Sequence, residues 1–428
     1  MTTPTHEHPI GTEHRAGSAA EVLSESEIRR FVRDALAGAD LDGSSVCLVV
    51  PDATRSCPLP LLLDEIHACL HGRVRRLTVL VALGTHAAMT DAQLAAHLGY
   101  AEHGLEATYP GTEVRNHEWW DASTFAPVGR IDAERVAELS GGMLRRDIDV
   151  RINRAVVEHD VALVVGPVFP HEVVGFSGGN KYFFPGVSGP EVIDLSHWLG
   201  ALITSAEIIG TVGVTPVRAL IDEAAALIPG RTLALCVVAR SNGTGLHAVT
   251  FDEPRRAWAA AAEVSAEAHV RYLDRPVRRV VSMMPAKYDD IWTAAKGFYK
   301  LEPVVADGGE VILYAPHVRE VSRMHPEIHE IGYHCREYFV KQWDRFEHLP
   351  WGVLAHSTHL RGAGTYDDEN GERCRVTVTL ATSIPADVVR SVNLEYLDPA
   401  AVDVDAMAHD PDTLVVPDAG EILYRLSR

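Results

Sequence analysis

SVCLVVPDATR, residues 45–55, is a β-branched apolar run that stops at Pro51-Asp52 and gives way to a short polar cluster. A run of this length bounded by turn residues reads as a buried strand. The segment that follows, PLPLLLDEIHACLHG (58–72), sets Leu62, Ile66 and Leu70 on one helical face. The alternation then repeats. RRLTVLVALGTH (75–86) is a second strand ending at Gly84, and TDAQLAAHLG (90–99) a helix with Thr90 as N-cap. VALVVGPVFPHE (161–172) is a third strand running into a loop, and RTLALCVVAR (231–240), preceded by DEAAALIPG, is a fourth. Strand, loop and helix in repetition predict an α/β fold with mainly parallel, Rossmann-like sheets. In such sheets ligands sit at the carboxyl ends of strands. The candidate residues are therefore Asp52, Thr54 and Arg55, then Thr85 and His86, then His171 onward.

Past the helical stretch PRRAWAAAAEVSAEAHVRYL (254–273) the pattern restarts with the strand PVRRVVSMMPAKYDD and a helix through IWTAAKGFYKLEPVVA (291–306). GGEVILYAP, GVLAHSTH (352–359) and RCRVTVTLAT read as further strands, and TLVVPDAGEILYRL (413–426) as a strand and a short helix. This predicts two domains. Residues 1–275 form the first unit, rejoined by 405–428, and residues 276–404 form the second. The first ~15 residues, polar and His-rich, are expected to be disordered.

Composition narrows the function. The chain has 428 residues, enough for two cores, with 46% hydrophobic and 23% charged residues. A formal net charge of −20 excludes non-specific nucleic-acid binding but not a local pocket for a small anion. The six cysteines form no C-x-x-C pair, which reads as reduced thiols in a cytoplasmic protein. No apolar run approaches the ~18–20 residues of a membrane span, and the N-terminus lacks the apolar core of a signal peptide.

The segment HEVVGFSGGNKYFFPGVSG (171–189) holds a lone lysine, Lys181, after a Ser-Gly-Gly-Asn turn and before three aromatic residues. Its glycines permit positive φ and close approach to a ligand. It is not a phosphate-binding P-loop, because Tyr182 stands where that motif requires Ser or Thr. A solvated lysine on a surface loop and a desolvated, nucleophilic one are both compatible with this composition. His171 before it and His197 after it offer acid–base or metal-binding chemistry.

PDATR (51–55), ALGTH (82–86), HEVVGFSGGNK (171–181) and the following His197 together resemble the lactate racemase family, with the motifs in the same order over most of the chain. The resemblance implies a racemase or epimerase acting at C2 of a 2-hydroxy acid. It also implies a nickel-pincer nucleotide, a pyridinium-3-thioamide-5-thiocarboxylic acid mononucleotide carrying nickel, attached covalently at Lys181. His197 matches the protein ligand to nickel, His86 and His171 the acid/base pair, and Arg55 the arginine that meets the substrate carboxylate. Asp52 and Thr54 match nucleotide-side positions, joined by Ser177, Gly178 and Gly179 of the glycine turn. In the second unit IWTAAKG places Lys296 and Trp292 toward the site. Thr293 stands where the lactate enzymes usually have Gln, which leaves the identity of the acid open. Cofactor-biosynthesis enzymes are the implied maturation partners.

Rival readings are a one-way redox or isomerase enzyme with the same cofactor, a nickel or nucleotide carrier without turnover, and a zinc hydrolase using His171 and His197. The carrier leaves Arg55, His86 and His171 without a task, and the hydrolase lacks a placed carboxylate base. HPEIH (325–329) reads as a surface histidine pair and DDENGE as a solvated turn. His356, His359 and Arg361 are candidates for the substrate side of the cleft. His117, Trp119 and Trp120 could likewise border a pocket, with packing the default reading.

Overall fold

The computed structural model describes residues 14–427 apart from Asn242 and Thr244. The expectation of disorder near the N-terminus lies outside the described residues for 1–13, and Arg15 already stands in a strand.

The first sheet is built from β1 (Arg15–Gly17), β2 (Ser45–Pro51), β3 (Arg76–Ala82), β4 (Thr112–Asn116), β5 (Val161–Pro167), β6 (Arg231–Ala239) and β7 (Leu246–Asp252) in the order β1-β7-β6-β5-β2-β3-β4. The five strands from β6 to β4 are parallel. The β7 and β1 edge is antiparallel. Strand β2 shows why an unbroken apolar run was needed: Val46, Leu48 and Val50 enter one core and Cys47 and Val49 the other. Side chains alternate across a strand, and here both faces are covered by helices. Helices α1 (Glu25–Gly38) and α2 (Leu59–Leu70) cover one face. α3 (Pro190–Ile203), α4 (Pro216–Ala225) and α5 (Pro254–His269) supply the other.

From β2 the chain proceeds outward through β3 and β4, whereas β5 lies on the opposite side of β2 and leads on to β6. Connections leave these two neighbours in opposite directions, so a crevice opens beyond their carboxyl ends.

The second sheet contains β8 (Val277–Met283), β9 (Val305–Ala315), β10 (Thr377–Thr382), β11 (Glu395–Tyr396) and β12 (Thr413–Val416) in the order β11-β10-β9-β8-β12, all parallel. The tail 405–428, expected to rejoin the first unit, divides between two partners. β12 extends the second sheet, while Leu423–Leu426 pairs with Val270–Leu273 in a separate two-stranded ladder. The short helix expected in this tail is a turn followed by that strand.

A larger correction concerns GVLAHSTH, read as a strand. It lies within a helix, α6 (Trp351–Arg361). Val353, Leu354, Ala355, Ser357, Thr358, His359 and Leu360 are all buried, so no polar face marks the helical period. The expected helix through 291–306 is broken into short turns at Ile291–Ala294, Lys296–Tyr299 and Glu302–Val304. Of DDENGE, residues 367–370 form the exposed turn of a hairpin, as read, whereas Glu372 lies in the following strand, largely buried, with its carboxylate on His334 and the Cys335 amide. Among the described residues no helix is long and apolar enough to cross a membrane.

Candidate active site

Beyond the ends of β2, β3 and β5 lies a cavity of about 430 Å³. Asp52 and Arg55 reach it from the loop after β2, Thr85 and His86 from the loop after β3, and His171 and Glu172 from the loop after β5. Ser177, Gly178 and Lys181 follow on the glycine turn, and His197 projects from α3. The opposite wall holds Trp292, Lys296, Tyr299, His325, His356 and His359. Thr54 and Gly179 do not line the cavity.

Thr54 acts on Asp52 instead. Its hydroxyl donates to Asp52 Oδ1 at 2.6 Å and its amide at 3.0 Å. The other carboxylate oxygen, Oδ2, accepts from His86 Nδ1 at 2.5 Å. Burial alone would push the Asp52 carboxyl up; His86, Thr54 and Arg55 more than offset this and hold it well below the usual carboxylate range. Asp52 therefore orients the His86 ring and leaves Nε2 available. Trp119 adds a second hold, donating from its indole nitrogen to the His86 carbonyl at 2.9 Å.

Gly178 and Gly179 are required by packing. A Cβ on Gly178 (φ +89°) would meet Val168 Cγ2 at 2.5 Å, and one on Gly179 (φ +57°) would meet Trp258 Cβ at 2.7 Å. The missing side chains clear Val168 and Trp258 and leave Gly178 on the cavity wall. The turn it permits, Gly179–Tyr182, carries Lys181 into the cavity. Burial, reinforced by the positive charge of Arg55, pushes the Lys181 amine down to about 7. Its place on the cavity wall, partly buried among these charges, favours the desolvated reading of this lysine.

The two flanking histidines are neutral. Burial pushes His197 down to about 4, with Lys181 adding to the effect. Its Nδ1 donates to the Ile193 carbonyl one helical turn earlier at 2.7 Å, which leaves a lone pair on Nε2. His171, only 3% exposed, is held well below its ordinary value by burial and then by the charges of Lys181 and Arg55. Its Nδ1 accepts the Val173 amide at 3.2 Å. Arg55 stays charged, since Asp52 and Glu172 outweigh the cost of its burial. Burial also lowers Lys296, to about 8.

Several site residues escaped the sequence reading. Glu172, adjacent to His171, is a partly buried carboxylate on the cavity wall, within reach of Tyr299, Lys296 and Arg55. His325 is not a surface residue: its ring lies 4.0 Å from Trp292 and 6.3 Å from Trp119 by centroid, and Nε2 meets Thr85 Oγ1 at 3.1 Å. Only its motif partner, His329, is exposed. Trp119 belongs to the cavity wall as well as to packing, whereas Trp120 is exposed and His117 is buried against Asn153. Thr293 turns away, donating to Asp290 Oδ1 at 2.8 Å. Arg361 does not line the cavity.

Cys335 and Cys374, far apart in sequence, converge with Glu372 outside this cavity, their ligand atoms within 4.8 Å of one another. All six cysteines are free thiols.

Residues 24–209 match the family model described as the lactate racemase N-terminal domain. The chain is 27% identical over 193 residues to the lactate racemase of Thermoanaerobacterium thermosaccharolyticum and 26% identical over 190 residues to that of Lactiplantibacillus plantarum. These matches take in 43% and 44% of this chain and span 40% of the length of each relative. In three dimensions it is similar to a Thermotoga maritima protein of known crystal structure, with 33% identity, a TM-score of 0.86, and coverage of 95% of this chain and 99% of that one. The lactate racemase apoprotein from T. thermosaccharolyticum shares the fold at 18% identity, with a TM-score of 0.67 and coverage of 98% and 97%. With the motifs at the strand ends gathered into one cavity, residues 24–209 are identified as a lactate racemase N-terminal domain.

Proposed function

We propose that this protein is a racemase or epimerase that interconverts stereoisomers at C2 of a 2-hydroxy acid, using a nickel-pincer nucleotide tethered at Lys181. The observation that carries this reading is the convergence of Arg55, His86, His171, Lys181 and His197 on one cavity. The donor set fits the group. Lys181 offers a partly uncharged amine for a covalent link, and His197 offers a neutral imidazole nitrogen whose tautomer is fixed by Ile193, a suitable donor for nickel. When bound, that group supplies reversible hydride chemistry.

The chain's own residues do the rest. Arg55 binds the substrate carboxylate through its planar fork, with Lys296 adding charge from the opposite wall. His86 and His171, from different strand ends, move the C2 hydroxyl proton, one for each enantiomer. Asp52 keeps His86 oriented, and burial keeps His171 neutral and ready to accept. The stacked rings of Trp119, His325 and Trp292 help to exclude water. A cofactor-binding unit through residue 275 and a closing unit from 276 belong to the same reading, as does a cytoplasmic location with cofactor-making enzymes as maturation partners.

The test is intact-protein mass spectrometry with nickel analysis after co-expression with those enzymes. The native chain should show an adduct that survives denaturation, and Lys181→Ala should not; an adduct retained by the variant sinks the tether. His86→Ala and His171→Ala should keep the adduct and lose roughly 10²- to 10⁴-fold in interconversion rate.

A further inference from the structure

We infer that the protein binds one zinc ion at Cys335, Glu372 and Cys374, outside the strand-end cavity. The ligand atoms of these three residues lie within 4.8 Å of one another. None of the three lines that cavity. Zinc stands about 2.3 Å from thiolate sulfur and about 2.0–2.2 Å from carboxylate oxygen, so small side-chain rotations bring all three onto one ion.

The backbone prepares this arrangement. Gly364–Asp367 and Gly371–Cys374 pair as an antiparallel hairpin, with Gly364 opposite Cys374. Glu372 and Cys374 stand two residues apart on one strand and so face the same side. Cys335 meets them from the N-cap of the short helix Arg336–Val340. Gly364 leaves the space, since a Cβ there would stand 2.9 Å from Cys335 Cβ and 3.1 Å from its Sγ. Glu372 is braced as metal-binding carboxylates are. Its Oε1 accepts the Cys335 amide at 2.5 Å, and its Oε2 accepts His334 Nδ1 at 3.0 Å and Asn393 Nδ2 at 2.9 Å. Three of the carboxylate's roughly four lone-pair sites are thereby used, and one on Oε1 is left.

Charge decides between a metal and a disulfide. Two neighbouring thiols alone suit either. Glu372 opposes the thiolate of each cysteine, and thiolate is the species that attacks when a disulfide forms. A divalent cation turns that opposition into coordination, releasing the two thiol protons as it binds. The three ligands then carry three negative charges, zinc leaves one, and Arg361, whose charge acts on both Cys374 and Glu372, offsets the remainder. Thiolate donors select zinc over hard cations such as magnesium and calcium. Cys335 is closed off from solvent, whereas Glu372 and Cys374 are partly exposed. The ion therefore enters from their side, and water fills the fourth position. Bound there, zinc fastens the hairpin to the start of the short helix.

The experiment uses the full-length protein, produced without the cofactor-making enzymes, kept reduced and freed of metal by a chelator. It is titrated with zinc, and with cobalt(II) as the optical stand-in for zinc. The chain should take up one zinc, unfold at a higher temperature in its presence, and show thiolate-to-cobalt charge-transfer absorption. No cysteine lines the strand-end cavity, so that absorption separates this site from the histidines there. Cys374→Ser and Glu372→Gln, checked for native circular dichroism, should each weaken zinc binding at least about tenfold, with the charge-transfer band falling in the cysteine variant. Cobalt uptake without that band, or zinc held equally by the native chain and both variants, overturns the site. A reduced protein that takes up no metal overturns it too, and loss of two hydrogens on exposure to a peroxide would then assign the pair to a disulfide.

Discussion

Lys181 is a cation in a place that penalises cations. It is partly buried on the cavity wall, with Arg55, Arg218 and Lys296 close enough to lower its pKa further and Glu172 as a compensating charge. A lysine whose folded pKa is about 7 rather than 10.5 binds a proton less readily in the native state than in the unfolded chain. Sign follows from linkage: between pH 7 and 10.5 the unfolded state holds more protons, so native stability rises with pH across that window. Lys181→Met should therefore stabilise the cofactor-free protein more at about pH 6 than at about pH 10, as read from paired thermal denaturation curves. A gain independent of pH would mean that the amine is solvated. The sequence did present this lysine, because a Gly-Gly-Asn turn ahead of Tyr-Phe-Phe is a poor setting for a solvated charge. Glu172 was harder to find, since a glutamate after a strand-end histidine looks like ordinary surface until the fold encloses it.

At the level of elements, the site depends on how closely the lysine turn lies against β5. Gly166 makes this possible: a Cβ there would enter the Tyr182 ring, with Cζ and Oη both at 2.5 Å. Tyr182 adjoins Lys181, so a side chain on the strand displaces the residue that the turn exists to place. Gly166→Ala should cost about 1–3 kcal/mol by overpacking and reduce cofactor attachment as well. Chemical denaturation and the adduct mass check the two effects, and unchanged stability would refute the contact. Elements also explain where the sequence was opaque. Strands β2, β3 and β5 were legible because each is a short apolar run closed by a turn, and the loops beyond them carried the familiar motifs. Helix α6 was not. With nearly every side buried it reads as an apolar stretch of no definite period, and Val353-Leu354-Ala355 suits a strand equally well. Its two cavity histidines were candidates on sequence, but the neighbours that define them, Ser205 and Trp292, are brought by tertiary structure alone. His325 was obscured in the same way, by a loop whose composition resembles surface.

Across the whole molecule, an unusual number of histidines are buried neutral, and this sets a limit on acid tolerance. Burial pushes His117, His197, His325 and His359 down to about 4, and His269 and His356 to about 3. Unfolded, each titrates at about 6.5. As pH falls below about 6.5 the unfolded chain takes up protons that the native state refuses, so stability present at neutral pH is lost progressively down to about pH 3–4. Glu172 and Glu372, held below the ordinary carboxylate range, extend the loss in the same direction at the lower end. His269 isolates the effect from the strand-end cavity, which it does not line. Its Nδ1 meets Ser265 Oγ and its Nε2 the Ala239 carbonyl, both at 2.8 Å, in the first sheet's core. His269→Gln shifts stability by some constant amount through packing, but it also removes one proton-binding group from the balance. Between about pH 4 and 6 the slope of unfolding free energy against pH should flatten by about 1.4 kcal/mol per pH unit, the linkage equivalent of one proton. Urea unfolding across that range measures the slope directly. An unchanged slope would mean that His269 is protonated inside the folded protein, and the acid limit would then have to come from the carboxylates.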